Sequence, residues 1–242
     1  MQIRLAVAVA SLALLLNLPA GAGELRQHPK AVLELFTSQG CSSCPAADKL
    51  LTELGERPEV IALAYHVDYW DYIGWPDTFG AAANSDHQRA YAASWGSSRI
   101  FTPQLIVNGT AGVAGSRRSE VGKALSTAAL DLPVRLKYSG DMLEVSIGSQ
   151  HGLEEAMVWL VTFIDRAEVT VERGENEGKK LAYTQIVTGR QVLGMWEPDR
   201  GAQMKLPLSE VLGEAADGAA ILVQQEQNGL PGRILGAASF QR

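Results

Sequence analysis

An α/β domain followed by an all-β domain, an antiparallel sandwich or barrel, is the fold class this sequence predicts. Three observations predict it. From Ala31 to about Ala129, apolar runs of strand length alternate with amphipathic helical stretches. Past Leu132 the segments are short, rich in β-formers and separated by Gly, Asp, Asn and Pro. Both cysteines fall on one strand-to-helix turn, Cys41-Ser42-Ser43-Cys44.

The chain opens on Met1 to Ala22, with Arg4 as its one charge, an apolar run from Leu5 to Leu16, and small residues at Ala20-Gly21-Ala22. This reads as a secretory signal peptide over 1–22, because the run is shorter than the roughly 20 apolar residues a membrane span needs. The mature chain is expected in the periplasm or outside the cell. Residues 23–131 then form the α/β domain and 132–242 the β domain. Ala31-Val32-Leu33-Glu34-Leu35-Phe36 is a buried strand, and Ala46 to Leu54 an amphipathic helix. Gly55-Glu56-Arg57-Pro58 ends that helix, and Val60 to Val67 forms a second strand, parallel to the first because a helix joins them.

An aromatic and acidic stretch, Asp68 to Asp77, continues from the C-terminal end of the second strand, where ligand and catalytic groups gather in open α/β sheets. A helix follows from about Thr78 to Trp95, with Ser85-Asp86-His87-Gln88-Arg89 on a polar side that reads as solvated. Ile100 to Val107 leads into Asn108-Gly109, the dipeptide that best signals a tight hairpin. Asn108-Gly109-Thr110 also matches a glycosylation acceptor, but two flanking strand patterns favour the turn. A return strand over Thr110 to Ala114 and a helix from Ser119 to Leu130 close the domain. In the β domain, Arg173 to Lys180 reads as a polar hairpin connection.

The 242 residues carry a formal net charge of −6, and losing Arg4 with the leader leaves the chain more acidic still. An acidic protein without a basic tract is a poor candidate for nucleic acid or an anionic membrane surface. Hydrophobic content of 46% supplies a packed core, so the cysteines are not needed as staples of a small scaffold. An exported chain that keeps one cysteine pair, two residues apart, is expected to use it. At the start of a helix, unpaired amides and the positive end of the dipole stabilise a thiolate on Cys41. Cys41 would then attack and Cys44 resolve the mixed disulfide. An inert bridge is the alternative, since so short a loop constrains the unfolded chain little.

Other chemistry is open to the same residues. His66 and Asp68 alternate along a strand and so share a face. Cys41, Cys44 and His66 could hold zinc or copper, which would make the chain a metal-binding or metal-delivery protein. Otherwise His66 or Asp68 could take the proton of the resolving thiol. Trp70 and Trp75, with Tyr69 and Tyr72, would line a groove for substrate or form the small core that pins the insert. A secreted binding module without catalysis is a further alternative.

A strand, a Cys-x-x-Cys turn, a helix, a second strand, and a Thr-Pro before a hairpin and final helix together resemble the thioredoxin fold over about Lys30 to Leu130. The resemblance implies that Pro103 is cis and faces the dithiol, giving a catalytic set of Cys41, Cys44 and Pro103. It also implies that the Thr102 backbone meets the substrate. X-Pro bonds are cis only about 5–6% of the time in folded proteins. Gly40 before the first cysteine, and Ser42-Ser43 between the two, depart from the thioredoxin pattern and leave the direction of electron flow open. The motifs Phe36 to Pro45, His66 to Asp71, Thr102-Pro103-Gln104 and Arg173-Gly174-Glu175-Asn176 resemble a family of secreted bacterial proteins classed as a domain of unknown function. Together these readings lead to an expected exchange of the Cys41–Cys44 pair with a thiol or disulfide protein partner or a small thiol, without a cofactor.

Overall fold

The computed structural model describes residues 24–242, so the expected leader lies outside the described residues. In chain order, β1 (Glu24–Arg26) and β2 (Ala31–Thr37) precede α1 (Pro45–Gly55), β3 (Val60–His66), and α2 (Ala82–Ser94). The hairpin β4 (Gln104–Val107) and β5 (Ala111–Ala114) leads to α3 (Arg118–Ser126). Then come β6 (Val134–Ser139), β7 (Met142–Ile147), β8 (Ala156–Thr170), β9 (Lys180–Trp196) and β10 (Ala202–Pro207). The short helix α4 (Leu208–Leu212) and the strands β11 (Gly218–Gln227) and β12 (Leu230–Gln241) finish the chain.

Local chemistry explains most of these elements. Pro45 occupies the first turn of α1, where its missing N–H costs no hydrogen bond. The helix buries Ala47, Leu50, Leu51 and Leu54 on one stripe against the sheet. Asn108 and Gly109 take positive φ values of 49° and 69°, the backbone a tight hairpin turn requires. A Cβ at Gly109 would also stand 2.2 Å from the Gly232 carbonyl oxygen, which excludes any larger residue there.

The expected architecture needs correction. Instead of a thioredoxin-type α/β domain followed by a separate β domain, one mixed sheet of nine strands runs through the molecule in the order β1-β12-β11-β8-β9-β3-β2-β4-β5. Strands from both sides of the expected boundary at 131/132 belong to it, and the molecule is mainly β. The junction is parallel: β3 and β9 share the pair Ala64 with Ile186. The remaining strands form a three-stranded sheet, β10-β7-β6, on one side. The physical reason lies in β3, which is buried on both faces. Left at the rim of a four-stranded sheet, it would expose an apolar edge of unpaired N–H and C=O groups, and β9 covers that edge.

The core shows the same merging. On one face of the sheet, Leu33, Leu35, Ala62 and Ala64 pack against Leu50, Leu51 and Leu54 of α1. On the other, Phe36, Ile61, Leu63 and Tyr65 pack with Tyr91 of α2 and also with Val161, Phe163, Leu222 and Ile234 from the second half of the chain. A further cluster sandwiches the small sheet, Leu136, Val145 and Ile147, onto Val158, Leu160, Ile221 and Phe240.

The polar side of α2 also differs from expectation. His87 is only 7% exposed and donates from Nε2 to Glu34 Oε1 at 3.0 Å, whereas Arg89 is solvated as expected and pairs with Asp86. Helical periodicity finds a face but not its surroundings, and here a buried carboxylate on β2 turned a polar face inward.

Candidate functional site

Strand β2 ends at Thr37, and the chain turns through Ser38, Gln39 and Gly40 before entering α1. Cys41 and Cys44 form a disulfide across this turn, with their Cα atoms 5.4 Å apart. Cys44 is the N-cap residue of α1, and its carbonyl accepts from Ala47 N and Asp48 N at 2.8 and 3.0 Å. The bridge therefore sits at the positive end of the helix, where a developing thiolate is stabilised. Ser43 Oγ lies 3.5 Å from Cys41 Sγ.

The sulfurs are not open to solvent. Cys41 is 1% exposed and Cys44 0%, while Ser42 and Ser43 between them are exposed. The cover over the turn is the connection between β8 and β9. Asn176, fully buried, donates from Nδ2 to the carbonyls of Gln39 (2.9 Å) and Cys41 (3.0 Å). Ser42 N donates to Glu175 Oε2 at 3.3 Å, and Lys179 Nζ donates to Asn176 Oδ1 at 2.8 Å. Gly174, at φ 83°, brings this connection against Trp75.

The aromatic insert closes the other side. Trp70 Nε1 donates to Thr102 Oγ1 at 2.7 Å, and Trp75 Nε1 donates to Gln39 Oε1 at 2.9 Å. Gln39 N in turn donates to Asp77 Oδ2 at 2.7 Å. A Cβ at Gly40 would meet Trp70 Cβ at 3.1 Å, so a glycine lets the insert approach the turn. Trp70 is thus tied to Thr102 and lies against Gly40, and Trp75 is tied to Gln39 just before the Cys-x-x-Cys turn, while Tyr72 stands 82% exposed at the tip. The Thr102–Pro103 peptide is cis. Gly115 N donates to the Pro103 carbonyl, and a Cβ at Gly115 would lie 3.5 Å from Pro103 and 3.2 Å from Ala47 in the first turn of α1.

Behind the disulfide lies a fully buried polar cluster. His66 Nδ1 pairs with Asp77 Oδ2 at 2.7 Å, and its ring stands edge-on to Tyr183 of β9, with centroids 4.7 Å apart. Asp48, one helical turn after Cys44 and so on the same face of α1, is 5% exposed, and neither carboxyl oxygen makes a hydrogen bond. His66 Nε2, Thr37 Oγ1 and Tyr183 Oη are likewise buried and unpartnered. Burial pushes the Asp48 carboxyl up to about 7, against the opposing influence of His66 and of the Thr37 hydroxyl, which faces it without meeting hydrogen-bond geometry.

Two expected pairings differ. Strand alternation predicts that His66 and Asp68 share a face, yet β3 ends at His66, and Asp68 turns to accept from Ser85 Oγ of α2 at 2.5 Å. His66 is engaged by Asp77 and does not join the cysteines: among the described residues no group of three or more His, Cys, Asp or Glu side chains is arranged around a common metal position. The sequence reading missed Asp48, Asp77 and Asn176. Asp48 had one signal, since its i+4 spacing from Cys44 places an acid on the apolar stripe of a helix. Asn176 had none beyond membership of the Arg-Gly-Glu-Asn motif.

The family model described as a protein of unknown function (DUF1223) matches residues 32–224. A protein of known crystal structure from Agrobacterium tumefaciens is 34% identical, with a TM-score of 0.80, over 89% of this chain and 95% of that one. HBP35 of Porphyromonas gingivalis is 15% identical, with a TM-score of 0.58 over 90% of this chain and 76% of that one, a likeness of fold alone. No curated protein matches the sequence.

Proposed function

The chain belongs to the DUF1223 family of proteins of unknown function, and we propose that it is an exported thiol–disulfide oxidoreductase working through Cys41 and Cys44. One observation carries this reading. The bridge caps a helix, and one turn behind it stands a buried carboxyl with no hydrogen-bond partner. A structural bridge has no use for an unpartnered acid, whose burial is costly, whereas a dithiol centre must exchange a proton with each turnover.

The step balances as follows. A partner thiolate attacks Cys41 Sγ, the Cys41–Cys44 bond breaks, and a mixed disulfide forms between the partner and Cys41. Cys44 leaves as a thiolate held by the first turn of α1 and takes the proton carried by Asp48. A second partner thiol, losing its proton to solvent, attacks the mixed disulfide and releases Cys41 as thiolate. The partner is oxidised to its disulfide and the Cys41–Cys44 pair is reduced by two electrons. The reverse sequence reduces a disulfide partner.

Attack requires access, so the connection carrying Glu175 and Asn176 must withdraw from the turn first. Three hydrogen bonds hold it to the turn, and each such bond contributes roughly 1 kcal/mol net. The burial of both sulfurs favours a second reading, a bridge that only fixes the turn beneath its cover. Equilibration with glutathione buffers separates the two. A potential between about −120 and −200 mV, with a Cys44→Ser variant trapping a mixed disulfide on Cys41, is the expected result. A potential below about −300 mV and no trapped species would assign the bridge to structure alone.

A further inference from the structure

The connection between β8 and β9 has a fold of its own. Val171 N donates to Lys179 O at 3.0 Å and Gly178 N to Val171 O at 2.8 Å, while Glu177 N bonds Gly174 O and Lys179 N bonds Asn176 O, both at 3.1 Å. Gly174 and Gly178 stand on either side of Glu175-Asn176-Glu177 with φ of 83° and 75°, a backbone that residues with a Cβ rarely adopt. These internal bonds do not depend on the turn beneath, so the segment can lift from it as one piece, a strap with its own shape.

The strap holds the Cys-x-x-Cys turn by two kinds of contact. Asn176 supplies the uncharged kind, since its Nδ2 donates to the carbonyls of Gln39 and Cys41, which are the same groups whether the bridge is oxidised or reduced. Glu175 supplies the charged kind. Its Oε2 accepts from Ser42 N at 3.3 Å, so a carboxylate lies against the backbone amide that directly follows Cys41. The other charges of the strap are engaged elsewhere or face solvent: Lys179 Nζ is on Asn176 Oδ1, Lys180 pairs with Glu168, and Glu172, Arg173 and Glu177 are exposed. From the protein side the turn meets further acids, Asp77 on Gln39 N and Asp48 one helical turn beyond Cys44.

While the bridge is oxidised both sulfurs are neutral, and nothing opposes Glu175. The proposed two-electron reduction leaves Cys41 as a thiolate and Cys44 as a thiol, which puts a negative charge one residue from the amide that Glu175 occupies. Like charges this close repel, and both draw on the amides of one short turn. A change of state shifts a conformational equilibrium only by what it adds to one form over the other. Here the addition is the contact between Glu175 and the thiolate, present only when the strap is closed and the bridge reduced.

Resting on the reading of Cys41 and Cys44 as an exchanging pair, we infer that the Val171–Lys179 strap is a redox-sensitive gate, closed over the oxidised bridge and expelled from the reduced one by Glu175. The reduced protein is then the form that presents its sulfur, ready to attack a disulfide partner, and the oxidised protein is the shielded form. Hydrogen exchange read by mass spectrometry tests this on the full chain, oxidised and after reduction with tris(2-carboxyethyl)phosphine. Amides of 172–180 should exchange about tenfold faster in the reduced protein, and the difference should shrink at high salt, which screens exposed charges. Glu175→Gln keeps an acceptor for Ser42 N without the charge and should lose most of the difference. Because a broken cross-link could loosen the turn without any charge, a Cys41→Ser, Cys44→Ser double variant provides a second arm. Lacking both bridge and thiolate, it should protect the strap as the oxidised protein does. Equal exchange in the two redox states, or an opening as large in Glu175→Gln or in the double variant as in the reduced wild type, would overturn the gate and leave the exchange chemistry standing. A bridge that the phosphine does not reduce in the folded protein would overturn both.

Discussion

Asp48 shows how one side chain ties stability to the chemistry of the disulfide. Burial pushes its carboxyl up to about 7 from an ordinary value of 3.8, so the folded state binds this proton more tightly than the unfolded chain. The sign follows from linkage: the group costs nothing below about pH 4, its cost grows as pH rises towards 7, and it is constant above that. The full destabilisation is of order 4 kcal/mol. Asp48→Asn should therefore leave stability near pH 4 little changed and raise it at pH 8. Urea denaturation at the two pH values reads this directly, and equal stability gains at both would show that Asp48 is not the titrating group. In a working redox centre the same variant should slow reduction by a thiol, through loss of the proton donated to Cys44, which a purely structural acid would not do.

At the scale of elements, the β8–β9 connection and the aromatic insert decide whether the turn is reachable. Asn176 bonds the carbonyls on both sides of Gly40 and is itself braced by Lys179. Asn176→Ala removes both bonds and leaves the Gln39 carbonyl without its partner, while the Cys41 carbonyl keeps the Cys44 amide, at a cost of about 1–3 kcal/mol. The expected outcome is lower stability with faster reduction of the Cys41–Cys44 bridge by dithiothreitol. Slower or unchanged reduction would mean that the connection does not limit access. Trp70 and Trp75 act at this scale too, and their indole bonds to Thr102 and Gln39 make them braces of the loop as much as walls of a groove.

For the whole molecule, the question is whether the two halves of the chain stand alone. The nine-stranded sheet joins them at β3 and β9, and one apolar cluster takes residues from both. A fragment spanning 24–131 would expose the edge of β3 together with Phe36, Ile61, Leu63 and Tyr65, an aggregation-prone combination. Such a fragment should fail to give the dispersed amide spectrum of a folded domain, and a well-dispersed, monomeric spectrum would show that the halves are autonomous.

The sequence by itself determined what depends on near neighbours. Strand β2, the Cys-x-x-Cys turn, α1 with Pro45 in its first turn, and the Asn108-Gly109 hairpin all follow from local periodicity and backbone preference. Placement of the cysteines at a helix start was legible for the same reason. Tertiary structure alone decided the rest. Nothing in Lys180–Trp196 announces that β9 will dock beside β3, because strand pairing is a contest among all exposed edges, and the outcome depends on which pairing buries the most apolar surface. Nor could spacing reveal that Asn176, 135 residues from Cys41, would seal the turn. The state of Asp48 likewise depends on what surrounds it, since a carboxyl's proton affinity is set by the water and charges around it in space.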